Sequence, residues 1–251
     1  YEIMPSLVGS EMCIRDRVST IRGLIFDMDG VLLDTEKIYF RCWLQSAKEL
    51  GYPMSEEAAL HVRSCCAAHA QPYFRQLYGE NFDYFKVRDH RRELVSQYIA
   101  EHGVEQKSGI AELLQFCREF GLPYAIATAT SKELAEQRLE LAGLAGQFPQ
   151  IVGGDQVLHG KPDPDIYLVA AKALHLPPEQ CVAIEDSPNG ITAGLSAHCN
   201  VILVPDLTPP EAGDRDRLFG IAENLKEVIP LLQAAGIGEK EHAKKSCIGS
   251  L

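Results

Sequence analysis

Short apolar runs alternate with longer amphipathic stretches over most of this chain, and one block breaks the alternation. The run Gly23-Leu24-Ile25-Phe26 is β-prone and leads straight into Asp27, which reads as a buried strand delivering that carboxylate at its carboxyl end. A turn over residues 30–35 follows. Helical signals then run from about Glu36 to Leu50, with Trp43, Ala47 and Leu50 at helical spacing and Gly51 as the stop. From there to about Gly103 the pattern is helical and polar. Ser55-Glu56-Glu57 makes a good helix start, and residues 71–77 and 87–99 form further helical stretches. Nothing in this block could supply a strand to a parallel sheet.

The β/α rhythm resumes after Gly109. Ile110, Leu113, Leu114 and Cys117 follow the i, i+3, i+4, i+7 pattern of an amphipathic helix. A strand over residues 124–128, a helix over about 132–141, a short strand at Ile151-Val152 and a loop through Gly160-Lys161-Pro162 come next. Asp163 suits a helix N-cap, with Pro164 at the first helical position. A strand over 181–185 runs into Asp186, a helix from about Asn189 leads to a strand over 201–204, and a final helix covers about 225–235.

This order predicts an α/β fold: a Rossmann-like parallel-sheet core with helices on both faces, interrupted by an inserted α-helical cap subdomain. The core takes residues 19–35 and 104–236 and the cap takes 36–103. Residues 1–18 read as a non-native or disordered leader outside the fold, and 237–251 as a frayed tail. Sheets of this kind bind ligands beyond the carboxyl ends of their strands, which is where Asp27, Thr128, Glu185 and Asp186 fall.

Composition narrows the partners. The net charge is −11, from 24 Lys+Arg against 35 Asp+Glu, which argues against a nucleic-acid backbone. A local basic pocket can still hold a phosphorylated metabolite. The eight cysteines show no Cys-x-x-Cys and no zinc-type spacing with histidine, so they read as reduced thiols of a cytoplasmic protein. No apolar run approaches the ~18 residues of a membrane span, and no secretory signal is expected. Oligomeric state is left open, with a monomer sufficient.

The chemistry lies in four segments. Asp27, Asp29 and Asp186 offer hard oxygen ligands with no His or Cys among them, a magnesium-type set that water and a substrate phosphate complete. Thr128 and the next backbone N–H suit a phosphoryl oxygen, and Lys161 is a compact cation placed to neutralise it. An aspartate nucleophile, a second carboxylate for proton transfer, a divalent cation and a cationic clamp answer the needs of phosphoryl transfer.

At these residues the chain resembles the haloacid dehalogenase superfamily, in its helical-cap branch of small phosphatases and β-phosphoglucomutase-like enzymes. The resemblance covers about residues 20–236. Asp27-Met28-Asp29-Gly30 through Asp34-Thr35-Glu36 matches the first family motif and Thr128 the second. Lys161 matches the third, and Glu185-Asp186-Ser187-Pro188-Asn189-Gly190 the fourth. The resemblance implies that Asp27 attacks phosphorus and carries an aspartyl-phosphate. Asp29 then protonates the leaving oxygen, takes a proton from the attacking water and helps hold Mg2+ through its carbonyl. It further implies that Asp186 binds the metal with Glu185 as ligand or support, and that Thr128, the Ala129 N–H and Lys161 hold the phosphoryl group.

Glu36, Tyr39, Arg63 and Asn189 are candidate substrate contacts, with Asn189 equally suited to capping its helix. Family mutases carry a histidine where this chain has Tyr39, and their cap Gly-x-Ser-Arg stretch is replaced by Arg63-Ser64-Cys65-Cys66. Hydrolysis of a small, sugar-phosphate-like phosphomonoester is therefore preferred over a β-phosphoglucomutase-type reaction. A non-catalytic receiver-like domain also uses an acidic pocket with Thr and Lys, but the long insertion and the acid at Asp29 speak against it.

Overall fold

The computed structural model describes residues 21–238, so the leader 1–18 and all but the first two residues of the 237–251 tail lie outside the described residues. The chain runs β1 (Gly23–Phe26), α1 (Glu36–Glu49), α2 (Glu56–His61), α3 (Ala67–Tyr78), α4 (Tyr84–His102), α5 (Ile110–Glu119), β2 (Tyr124–Ala127), α6 (Lys132–Leu141) and β3 (Ile151–Val152). It continues as α7 (Asp165–Ala173), β4 (Cys181–Glu185), α8 (Pro188–Ser196), β5 (Asn200–Leu203), α9 (Asp214–Arg217), β6 (Gly220–Ile221) and α10 (Val228–Ala234). The six strands form one parallel sheet in the order β3-β2-β1-β4-β5-β6.

Strand periodicity sorts the core into two layers. Leu24, Phe26, Tyr124, Ile126, Val182, Ile184 and Ile202 point to one face, where they meet the apolar stripes of α5, α6 and α10. Ile25, Ala125, Ala127, Ala183, Val201 and Leu203 point to the other, against Ile166, Tyr167, Ala170 and Ala171 of α7 and Ile191 and Ala193 of α8. Ile110, Leu113, Leu114 and Cys117, picked out by their spacing, are all buried.

Strand order reverses at β1: β2 and β3 extend the sheet on one side, β4 to β6 on the other. The crevice at such a switch opens above the carboxyl ends of β1 and β4, so Asp27 and Glu185-Asp186 emerge side by side. The register fixes this, since Phe26 pairs with Ile184 and Asp27 N–H donates to Ile184 O at 3.0 Å.

Helices α1 to α4 pack on one another over that crevice. Their shared core is aromatic: Trp43, Phe74, Phe82 and Tyr84, with Ala47, Ala58, Val62 and Val87 filling between them. Phe74 stacks on Phe82 at 5.1 Å and tilts against Trp43 at 5.6 Å. A smaller cluster of Ile38, Cys42, Val95 and Ile99 closes the α1–α4 seam, and Ser46 Oγ donates to Val87 O at 2.7 Å.

Several details depart from the sequence reading. Helix α7 starts at Asp165 with Pro164 as its cap residue, one position later than expected, because Asp163 turns its carboxylate to His69 instead. Helix α8 is capped by Ser187, whose Oγ accepts from Gly190 N–H at 3.1 Å. The two-residue strand β6 and the four-residue α9 were too short to carry a pattern. Among the described residues, no helix is long and apolar enough to cross a membrane.

Candidate active site

The β1 strand ends in a tight turn that buries both of its acids. Leu32 and Leu33 N–H both donate to Met28 O at 2.9 Å, and Met28, Val31, Leu32 and Leu33 anchor the turn in the core. Gly30 sits at φ +90°, and a Cβ there would lie 2.4 Å from Asp186 Oδ2. Glycine is thus required both by the backbone and by the carboxylate passing over it.

Lys161 is fully buried and donates from Nζ to Asp27 Oδ1 and Glu185 Oε1, each at 2.6 Å. Tyr167 places its ring 5.2 Å from Nζ and donates its hydroxyl to the same Glu185 oxygen. The other Glu185 oxygen accepts from Asp186 N–H at 3.1 Å and from Ser187 Oγ at 3.4 Å. Gly190 makes this possible, since a Cβ there would fall about 2.0 Å from the Glu185 carboxyl carbon. Glu185 is therefore a satisfied support that aims Lys161 at Asp27.

Asp29 is held from several sides. Thr35 Oγ1 donates to its Oδ1 at 2.6 Å, Thr130 Oγ1 to its Oδ2 at 2.9 Å, and Thr128 Oγ1 lies 3.5 Å from Oδ2. Arg138 Nη1 stands 3.4 Å from Oδ1 and also meets the Tyr39 hydroxyl.

Asp186 faces the cap. Arg63 Nη2 donates to its Oδ2 at 2.6 Å and its carbonyl at 2.8 Å, while Arg63 Nε stands 3.2 Å from Glu36 Oε2. Asn189 neither caps α8 nor faces the cavity. Its amide donates to His61 O at 3.0 Å and Arg63 O at 2.8 Å, which seats the segment carrying Arg63.

Electrostatics follow from this crowding. Burial pushes the Asp27 carboxyl well above its ordinary value; Lys161 opposes that, and Glu185 and Asp186 add to it. Burial raises Asp186 in the same way, against Arg63 and with Glu36 and Glu185. Glu36 is pushed up to about 8, by burial first and by Asp29 and Asp27 after the opposing Arg63. Lys161 stays charged, because Asp27 and Glu185 outweigh a burial that alone would lower it.

Buried acids this close call for a further cation. Oxygens of Asp27, Glu185 and Asp186 lie within 4.8 Å of one another, and Asp27 Oδ2 and Asp186 Oδ1 are buried with no hydrogen-bond partner. An all-oxygen donor set with two orphaned lone-pair sites fits a hard divalent ion. Beside it opens a cavity of about 620 Å3 lined by Asp27, Asp29, Thr128, Ala129 and Lys161 from the core and by Arg63 and Arg91 from the cap.

The structure thus brings Asp27, Asp29, Thr128, Ala129, Lys161, Glu185 and Asp186 to one crevice, and Glu36, Tyr39 and Arg63 to its edge. The sequence marks Thr35 only as part of the first motif, without a role, and does not single out Thr130, Arg138 or Tyr167. Arg138 left a trace: it shares the buried stripe of α6 with Ala135 and Leu139, where a charge needs a partner.

A parallel sheet with four acidic and basic segments meeting at its switch point, roofed by helices, defines a class of phosphoryl-handling enzymes. Residues 24–204 match the family model of haloacid dehalogenase-like hydrolases. The chain belongs to that family, and within it to the phosphatases. It is 30% identical to the Phosphorylated carbohydrates phosphatase of Thermotoga maritima over 221 residues, covering 86% of this chain and 93% of the relative. It is 33% identical to Hexitol phosphatase A of Escherichia coli over 184 residues, 73% of this chain and 82% of the relative. The crystal structure of CbbY from Rhodobacter sphaeroides in complex with phosphate superposes with a TM-score of 0.68 at 26% identity, covering 85% of this chain and 99% of that one.

Proposed function

We propose that this enzyme hydrolyses a small, sugar-phosphate-like phosphomonoester in the cytoplasm, with Mg2+ as cofactor and an aspartyl-phosphate on Asp27 as intermediate. The observation that carries the reading is the pair of unpartnered buried oxygens, Asp27 Oδ2 and Asp186 Oδ1, beside a lysine-clamped aspartate and a separately held second acid. The relatives' names, phosphorylated carbohydrates phosphatase and hexitol phosphatase, support the substrate class.

Asp27 is the nucleophile. Its oxygen forms a bond to phosphorus as the ester P–O bond breaks. Asp29, oriented by Thr35, Thr130 and Arg138, gives its proton to the departing alkoxide and then takes one from the water that attacks the aspartyl-phosphate, whose Asp27 O–P bond breaks to return the free carboxylate and release phosphate. Lys161 and the Thr128–Ala129 turn hold the non-bridging oxygens. Asp27, Asp186 and the Asp29 carbonyl would hold Mg2+, which supplies positive charge against the phosphoryl oxygens. Glu36 and Arg63 close the cavity edge, and the cap excludes bulk water.

The Tyr39 hydroxyl, at the position where family mutases carry a histidine, is engaged by Arg138. Phosphate release should be followed across hexitol, hexose and p-nitrophenyl phosphates, with and without Mg2+. Release should require Mg2+ and vanish in Asp27→Asn. Undiminished turnover in that variant, or isomerisation of β-glucose 1-phosphate faster than phosphate release, would sink the assignment.

A further inference from the structure

A second set of ligand atoms lies at the cap–core seam, apart from the acidic cluster. Cys66, His69 and Asp163 each bring one donor atom to within 4.8 Å of the others. We propose that they form a site for a borderline-soft divalent cation, Zn2+ by chemistry, which clamps the cap onto the core loop that carries Lys161.

The backbone preorganises the three. Against the expectation that no cysteine stands at zinc-type spacing from a histidine, Cys66 is the N-cap residue of α3 and His69 lies one turn on, in Cys-x-x-His spacing, so both side chains leave the same edge of the helix. His69 and Ala70 N–H groups both donate to Cys66 O, at 3.2 and 3.0 Å, which fixes that turn. Asp163 comes from the core, two residues after Lys161. The loop is docked there by backbone: Cys66 N–H donates to Lys161 O at 2.9 Å, and Gly160 lets the chains close, since a Cβ on it would stand 2.8 Å from Cys66 Cβ.

His69 Nε2 already meets Asp163 Oδ2 at 2.8 Å. A tetrahedral zinc ion replaces the proton of that hydrogen bond. It requires ligand atoms about 3.4–3.6 Å apart, given bonds of ~2.3 Å to sulfur and ~2.0–2.2 Å to nitrogen and oxygen. The change is well under an ångström for the His–Asp pair, and the thiolate closes the third vertex after releasing its proton. The His69 and Asp163 side chains are 46% and 39% exposed, so an ion has a path in and a water can take the fourth position.

The donor set is what separates this site from the acidic one. Sulfur, nitrogen and oxygen together select Zn2+ or Co2+, whereas an all-oxygen set of carboxylates and a carbonyl suits Mg2+. A bound ion ties α3 to the lysine loop, so lid opening and the exchange of substrate and product are slowed. That consequence rests on the phosphatase reading, whereas the site itself does not.

The test is a Co2+ titration of the full chain with Mg2+ saturating the acidic cluster. One equivalent should bring up a thiolate-to-cobalt charge-transfer band, a signature that carboxylate ligands cannot give. The band should persist in Cys65→Ser, disappear in Cys66→Ser, and need at least ~10-fold more Co2+ in His69→Ala. In turnover assays on Mg2+-loaded protein, Zn2+ should slow the native enzyme several-fold and Cys66→Ser much less. Absence of the band, its survival in Cys66→Ser, or equal zinc sensitivity of the two proteins overturns the proposal. The spectrum is read without turnover, so loss of the phosphatase reading would leave it intact.

Discussion

Replacing Lys161 with methionine isolates the charge at the centre of the site. Methionine keeps an unbranched chain of similar length, so the loss is electrostatic rather than a void. Nζ is 2.6 Å from an oxygen of each of two carboxylates, and all three side chains are at most 3% exposed. At an effective dielectric of ~20 each contact contributes about 6 kcal/mol of attraction, most of it offset by desolvation. What remains measurable is the cost of leaving the partners unpaired, ~3–5 kcal/mol for a buried pair broken from one side. Against the 5–15 kcal/mol typical of a folded protein, that leaves the metal-free variant marginal at pH 7.

A proton can partly replace the ammonium, and this gives the prediction a sign. The Asp27 carboxyl in the folded protein titrates well above its ordinary value of 3.8, through burial first. Removing Lys161 raises it further. An acid raised on folding has its penalty relieved below the unfolded value and imposed as pH rises through the folded one. The deficit of Lys161→Met against the native protein should therefore be largest at pH 7–8 and shrink towards pH 5. Urea denaturation of metal-free protein at both pH values measures it. A deficit below ~1 kcal/mol at pH 7, or one that grows on acidification, refutes the reasoning.

Four further outcomes follow from named contacts. Gly190→Ala, which at an ordinary helical position would stabilise by ~0.5–1 kcal/mol, should instead cost at least ~1–3 kcal/mol and most of the turnover, because its Cβ collides with the Glu185 carboxylate; thermal melts and phosphate release check both. Phe74→Ala should cost ~3–5 kcal/mol, with amide exchange accelerated in α1–α4 while β1 and β4 stay protected. Arg138→Met should lower kcat at least ~10-fold with KM little changed, since it removes a group that orients Asp29 without lining up the substrate phosphate; parallel kcat and KM measurements decide. Arg63→Gln should tighten Mg2+ binding several-fold by calorimetry, because the guanidinium and a metal draw on the same Asp186 carboxylate.

The β1 strand could be read in advance because four apolar residues ending in Asp27 have few other uses, and the same holds for β4 ending in Glu185-Asp186. Helix α5 was legible because its buried face is complete within ten residues. Elements β6 and α9 were not, because two and four residues carry no period, and their positions are set by the neighbours they pack on. The same division runs through the site. Asp27, Asp29 and Asp186 stand in short local motifs, and the structure brings them together.

Arg138, Tyr167 and the seating role of Asn189 depend instead on which helix face meets which loop. Asn189 illustrates the limit best. Read locally, an Asn two residues after a Ser-Pro helix start is a capping group, and capping would have satisfied it. Ser187 already fills that role, which leaves the Asn189 amide free to take two carbonyls from the cap, His61 O and Arg63 O, more than 120 residues away in sequence. Those two bonds fix the segment from which Arg63 reaches Asp186, so a residue without chemistry of its own holds the cap's guanidinium against the acidic cluster. Local sequence specifies the donors and acceptors; the closure of the cap decides which of them meet.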